Sequence, residues 1–246
     1  MNLQYTPYVL PLVAAALVAF VLAVLAWQRR RISGAKSVAL LNAALALWLV
    51  CYAFQILSRD RDSILFWSNL AFLGIAFVPV FWLTFSLEYS GRGRWLEPIN
   101  IALLSILPLF TQVMVWTNTS LELFRSNIRL ESVGSVVTFD STWEFGFWLH
   151  TGYSYLLIVV GIVFLAMMVF RSSGLYRRQA IVLLTGAIVP LTANVLFLFV
   201  LKPEFLLDPT PFSLTATGLM FAVGLFRLRL LDVVPLARDV VVEGMH

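Results

Sequence analysis

Seven long apolar runs constrain the fold of this chain more than any other feature of its sequence. Each is close to the 20 or so residues that an α-helix needs to cross a bilayer. They cover residues 7–27, 36–57, 65–87, 98–117, 148–170, 180–201 and 211–231. Only 12% of the residues are charged, about half the share in a soluble domain. We therefore predict an all-α fold, an integral membrane bundle of seven transmembrane helices.

The basic residues between the runs predict how the bundle is oriented. No Lys or Arg precedes the first run, and Arg29, Arg30 and Arg31 follow it directly. The run is therefore not a cleavable signal peptide, and the positive-inside rule places the N-terminus outside and the C-terminus inside. With that choice, 12 of the 17 Lys and Arg residues lie on the cytoplasmic side.

One connection is much longer than the others and is predicted to lie outside. It covers residues 118–147, and loops of that length usually carry structure or function. Within it, Ser132 to Phe139 is rich in β-branched residues and has a turn signal at Gly134-Ser135. We expect a small β-hairpin there.

Several chemistries are excluded by the residues that the chain lacks. Retinal binding needs a buried lysine, but the only lysines, Lys36 and Lys202, lie at helix ends. Two histidines (His150 and His246) and one cysteine (Cys51) give no metal motif. The basic residues form no stripe long enough to follow a nucleic acid. We therefore expect no metal, no cofactor, no nucleic acid partner and no enzymatic activity in this chain.

Polar and aromatic side chains gather toward the predicted outer ends of the helices. Such residues suit a small-ligand site with apolar walls and a few polar groups, although interfacial aromatic belts and bonds between helices use the same residue types. The candidate ligand-binding residues are Gln55, Trp67, Asn69, Gln112, Trp148, His150, Tyr153 and Asn194.

Two mid-span prolines and the C-terminal segment are candidates for relaying a signal. Pro79 and Pro190 each remove a backbone hydrogen bond and can kink a helix, either as part of a two-state element or as a static bend. After the last run, Asp232 precedes a break at Pro235, and a new helical pattern, which includes Arg238, begins at Leu236. We expect residues 232–246 to be a cytoplasmic linker toward an output domain that is missing here.

A series of short motifs gives the chain a family resemblance. In order they are Phe66-Trp67, Leu73-Gly74, Phe77 to Val80, Phe85 to Gly91, Trp148 to His150, Tyr153 to Tyr155, Tyr176 to Gln179, Val189-Pro190 with Asn194, Asp208 to Pro211, and Leu230 to Asp239. With these motifs the chain resembles the N-terminal seven-transmembrane sensor region of bacterial and archaeal histidine kinases.

The resemblance implies a sensory receptor domain over residues 1–231, in the inner (cytoplasmic) membrane. It would sense an unidentified small ligand from outside the cytoplasm or from the membrane and signal through the seventh span to a cytoplasmic output module. Membrane lipid and a second copy of the full-length protein are the other partners that it implies. Two alternatives stay open at this point: a small seven-span transporter, and an assembly partner for other membrane proteins.

Overall fold

The computed structural model describes residues 3–133, 136–201 and 207–226. Their helices are α1 (Val9–Gln28), α2 (Ala35–Leu57), α3 (Arg61–Tyr89), α4 (Pro98–Trp116), the short α5 (Asn118–Leu121), α6 (Phe145–Arg171), α7 (Gly174–Leu196, continued by a π-helical stretch, Phe197–Leu201) and α8 (Thr210–Phe226). A single 3-10 turn, Gly93–Trp95, precedes α4.

Six of these helices are long and apolar enough to cross a membrane: α1, α2, α3, α4, α6, and α7 with its π-helical continuation. They coincide with the first six predicted runs. The seventh run falls on α8, which has 17 residues within the described range. The mostly helical, membrane-embedded, multi-pass architecture that the apolar runs predict is therefore confirmed. The predicted linker 232–246, with Asp232, Pro235 and Arg238, lies outside the described residues.

Local sequence signals explain where several helices begin. The Asp60 side chain caps α3 by accepting a hydrogen bond from the backbone N–H of Ser63 at 3.0 Å, which satisfies one of the free donors of the first turn. Pro98 is the first residue of α4, where its missing N–H costs nothing. Gly34, between α1 and α2, has a φ of 83°, a conformation that side chains with a Cβ rarely adopt.

Six helices form a closed ring. Each packs against the next in the order α1, α2, α3, α6, α7 and α8, and α8 returns to α1. Small residues allow the close approaches, since Gly74 of α3 packs directly on the backbone of α2 at Ala44 and Trp48. Helix α4 lies outside the ring, against α3 and α6. The ring encloses an interior space between its helices.

The connection between α4 and α6 forms a β-hairpin, as the sequence predicts. Strand β1 (Arg125–Val133) pairs antiparallel with β2 (Val136–Trp143), and the predicted turn at Gly134-Ser135 lies outside the described residues. Gln4 fastens the hairpin to the end of α2: its amide donates to the Ile56 carbonyl at 2.8 Å and accepts from the Val137 N–H at 3.0 Å. The hairpin therefore packs over the C-terminal end of α2 and the N-terminal part of α3.

Candidate functional site

A cavity of about 250 Å³ lies inside the helix ring. Its walls come from α2, α3, α6, α7 and α8, and strand β2 contributes at the hairpin end. Along α3 the lining extends from Ser68 to Trp82, a helix length of about 21 Å at 1.5 Å per residue. The cavity is therefore elongated and reaches from the hairpin well into the bundle.

The walls are largely aromatic and aliphatic. Among the residues that the structure describes, nine aromatic side chains line the cavity: Trp48, Tyr52, Phe72, Trp82, Phe139, Trp143, Phe147, Tyr155 and Phe197. Leu41, Leu45 and Ile158 line it as well. A mostly apolar cavity with a few polar groups is the usual form of a small-molecule site.

A chain of hydrogen bonds joins four elements where the beginning of α8 meets the cavity. The Tyr155 hydroxyl of α6 donates to the Asn194 side-chain oxygen at 2.7 Å, and the Asn194 amide donates to the Thr210 hydroxyl at 3.1 Å. The Thr210 N–H donates to the Asp208 carboxylate at 2.8 Å. The Tyr52 hydroxyl of α2 completes the chain by donating to the Asp208 backbone carbonyl at 3.3 Å. These bonds tie α2, α6 and α7 to the beginning of α8.

Asp208 brings a carboxylate to the cavity wall. Burial raises the pKa of Asp208 above its ordinary value of 3.8, and the hydrogen bonds from Thr210 oppose that rise. Asp140 is the other charged residue among the described lining residues, so both charges are acidic. Neither Lys nor Arg belongs to the part of the lining that the structure describes.

His150 lies on the α6 side of the cavity with a hydroxyl near each ring nitrogen. The Thr111 hydroxyl is 3.5 Å from Nδ1, and the Ser154 hydroxyl is 3.3 Å from Nε2. The side chain is buried and its ring packs edge-on against Phe72, with centroids 6.0 Å apart. His150 therefore links α4 to α6 and also contributes to the cavity wall.

Both mid-span prolines line the cavity, and Pro190 explains a contact between α7 and α8. A proline at position 190 has no N–H to give to the carbonyl of Gly186, four residues earlier. The Thr217 hydroxyl of α8 donates to that carbonyl at 2.9 Å. Gly186 and Thr217 also line the cavity, so the freed carbonyl connects α7 to α8 at the cavity wall.

Five of the predicted site residues line the cavity: Gln55, Pro79, His150, Pro190 and Asn194. Five others lie elsewhere and make different contacts. Two of them are tryptophans that pack on other rings: Trp67 stacks on Phe54 with centroids 4.6 Å apart, and Trp148 packs near Phe199. Two donate to backbone carbonyls, Gln112 to Phe72 and Tyr153 to Leu104, each at 2.7 Å. The fifth, Asn69, accepts a hydrogen bond from Arg125. These five were predicted from helix position, which does not distinguish an inward face from one that meets a neighbouring helix.

Tyr52, Trp82 and Asp208 are among the many lining residues that the sequence does not mark as site candidates. In the sequence, Asp208 stands out only as part of the family motif Asp208 to Pro211. Its proximity to Tyr52 depends on the contact of α8 with α2. Trp82 lies deep in the bundle, where its indole N–H donates to the Ile158 carbonyl at 3.1 Å. Its position on the face of α3 that meets α6 would have required knowing which helices are neighbours.

Arg125 is a further residue that the sequence did not single out. Its side chain is 1% exposed, donates to the Ser68 hydroxyl at 2.9 Å and to the Asn69 side-chain oxygen, and packs over the Phe139 ring. Burial lowers the pKa of Arg125 to about 10. The guanidinium therefore fastens β1 to α3, behind the cavity wall.

Comparison with known proteins identifies the family. The model of the N-terminal 7TM region of histidine kinase matches residues 11–235. No curated protein matches the chain. The match covers nearly all of the chain and includes every helix that lines the cavity. The chain therefore belongs to the family of N-terminal seven-transmembrane regions of histidine kinases.

Proposed function

We propose that this chain is the ligand-sensing domain of a membrane signal-transduction protein and that the cavity is its sensory site. The N-terminus faces the outside, the C-terminus faces the cytoplasm, and α8 is part of a seventh span in the inner membrane. The domain is not itself catalytic. A ligand in the cavity changes how α7 and α8 pack, and α8 transmits that change to a cytoplasmic output that works as a homodimer.

The observation that carries this proposal is the contact of the cavity with the beginning of α8. Asp208 and Thr210 join α8 to Tyr52 and Asn194 through hydrogen bonds, and Thr217 joins it to α7. A ligand can shift a conformational equilibrium only if it binds the two states with different affinity. A molecule in this cavity touches the residues that hold α8 in place, so its binding energy can depend on the position of α8.

Thiol accessibility tests both the cavity and the orientation. In a Cys51→Ser background, Leu191→Cys places a thiol on the cavity wall, and Ile188→Cys places one on the outer surface of the same helix, where Ile188 is 46% exposed. We expect a membrane-impermeant methanethiosulfonate reagent, added from outside to intact cells, to modify the cysteine at 191 and to spare the one at 188, which lipid covers.

Two results would contradict the proposal. Modification only when the reagent reaches the cytoplasmic side would reverse the orientation. Equal protection of both thiols from either side would mean that position 191 is no more open to water than the lipid-facing surface of α7, which would contradict a sensory cavity that opens to the outside.

A further inference from the structure

The cavity combines aromatic walls with acidic charge, and this combination indicates a class of ligand. Both charged residues in the described lining are carboxylates, Asp140 and Asp208. Aromatic faces attract cations through the ring quadrupole, and a buried carboxylate needs a cation to offset the cost of its desolvation. Both features favour a positively charged group.

Asp208 is the carboxylate best placed for such a group. Its carboxylate oxygen accepts from the Thr210 N–H, and burial and the Thr210 hydrogen bonds, with no cation of the described residues, are what act on its charge. Two phenol groups lie nearby, since Tyr52 donates to the Asp208 backbone and Tyr155 is connected to Thr210 through Asn194. A cation beside Asp208 would therefore meet a carboxylate together with aromatic rings.

The rest of the cavity suits an apolar body. Beyond Asp208 the lining continues inward through Leu45, Leu41, Ile158 and Trp82. This deeper part of the cavity can bury an alkyl or aryl group, which is favourable in proportion to the apolar area removed from water. A ligand with one charged end and one apolar end would match both parts.

On these grounds we propose that the sensory cavity binds a small organic amine, with its ammonium group at Asp208 among the Tyr52 and Tyr155 rings and its apolar part directed toward Trp82. This inference rests on the proposed function, because it names the ligand class of the same site. The raised pKa of Asp208 is consistent with it, since a bound ammonium would stabilise the charged carboxylate that burial disfavours. The buried cation Arg125 contacts Ser68 and Asn69 and is not part of the lining. An anionic ligand would therefore meet no cation in the described lining. Tighter binding of an anion is the competing outcome of the test.

Three probes with the same six-carbon chain test the charge preference. Hexylamine, hexanol and hexanoate carry a cationic, a neutral and an anionic head group at neutral pH. Their dissociation constants are obtained from the unfolding midpoint of the whole chain in lipid nanodiscs, measured as a function of probe concentration. We expect hexylamine to bind about 30-fold or more tightly than hexanol, a ratio near the lower end of the coupling measured for close charge pairs, and hexanoate to bind most weakly.

Variants separate specific binding from partition into lipid. Asp208→Asn should remove the preference for hexylamine, whereas Asp62→Asn, a matched change at the exposed start of α3, should leave it intact. Tyr155→Phe keeps the ring and should retain the preference for hexylamine, and Tyr155→Leu should weaken it. If Asp208→Asn does not fold, the comparison of the three probes on the unaltered chain still decides whether the cavity prefers a cationic head group.

The inference is overturned if hexanol or hexanoate binds as tightly as hexylamine, or if none of the three binds. It is also overturned if Asp208→Asn and Asp62→Asn weaken hexylamine equally. None of these results contradicts the proposed sensory function, which is tested separately by the thiol at position 191.

Discussion

The bond from Thr217 to the Gly186 carbonyl gives a direct test of how α8 is held. Replacing Thr217 with Val keeps the side-chain shape and removes the hydroxyl that donates to this carbonyl, which Pro190 leaves without its helical N–H. An unsatisfied buried carbonyl costs about 1–3 kcal/mol, while hydrogen bonds between membrane helices average about 0.6 kcal/mol and reach about 1.7. We therefore expect Thr217→Val to lower the free energy of unfolding by about 1 kcal/mol.

The loss of stability should depend on Pro190. In a Pro190→Ala background the restored N–H of residue 190 can bond to Gly186, so Thr217→Val should cost less than half as much there. The four proteins form a double-mutant cycle, measured by reversible unfolding in mixed micelles, and its interaction energy isolates the pairwise contribution.

Two control variants accompany the cycle. Thr217→Ser keeps the hydroxyl and should behave like the original protein. Thr185→Val removes an exposed hydroxyl on α7 that bonds within its own helix, and it should change stability by no more than about 0.5 kcal/mol. Equal costs of Thr217→Val in the two backgrounds would refute the role given to the proline.

Contacts elsewhere in the bundle give three further predictions. Pro108 has no N–H for the Leu104 carbonyl four residues earlier, and the Tyr153 hydroxyl donates to that carbonyl instead. Tyr153→Phe should therefore destabilise the protein by about 1 kcal/mol. Thermal unfolding measures this, and unchanged stability would contradict it. Arg125→Lys should speed amide hydrogen exchange in β1 and β2, because one ammonium cannot reproduce the fork of bonds to Ser68 and Asn69; unchanged exchange would mean that Gln4 alone holds the hairpin. Burial raises the pKa of Asp208, so this carboxyl contributes stability at low pH and loses that contribution as the pH rises through its native pKa. The stability gained from Asp208→Asn should therefore grow as pH rises from about 4 and then level off. Unfolding of both proteins measured against pH checks this, and a gain that shrinks with rising pH would show the opposite shift.

The sequence was sufficient to predict the helices because lipid leaves few alternatives. Twenty apolar residues in a bilayer satisfy their backbone groups only as a helix or a closed barrel, and all of the first six predicted runs coincide with helices. The hairpin was also predictable, since β-branched residues flank Gly134-Ser135. The orientation of the bundle and the seventh span stay predictions.

The site was harder to predict because it depends on which helices are neighbours. Gln55, His150 and Asn194 are polar residues within apolar runs, and each lines the cavity. Tyr153 shows the same pattern, yet its hydroxyl is used by α4 at Leu104. Periodicity locates a polar face on a helix. The ring order, which places α8 between α7 and α1 and leaves α4 outside, arises from packing between residues far apart in sequence.

Filling the cavity tests the central claim, that this space controls the signal, most directly. Ala187→Phe adds a ring at the cavity wall, and Ala43→Phe adds the same ring on the exposed face of α2. The measurement is autophosphorylation, in membrane vesicles, of a chimera that joins this chain to a histidine kinase catalytic module. We predict that Ala187→Phe changes this activity severalfold, in either direction, while Ala43→Phe leaves it unchanged. Equal activity of both variants, with both proteins folded, would contradict a sensory role for the cavity.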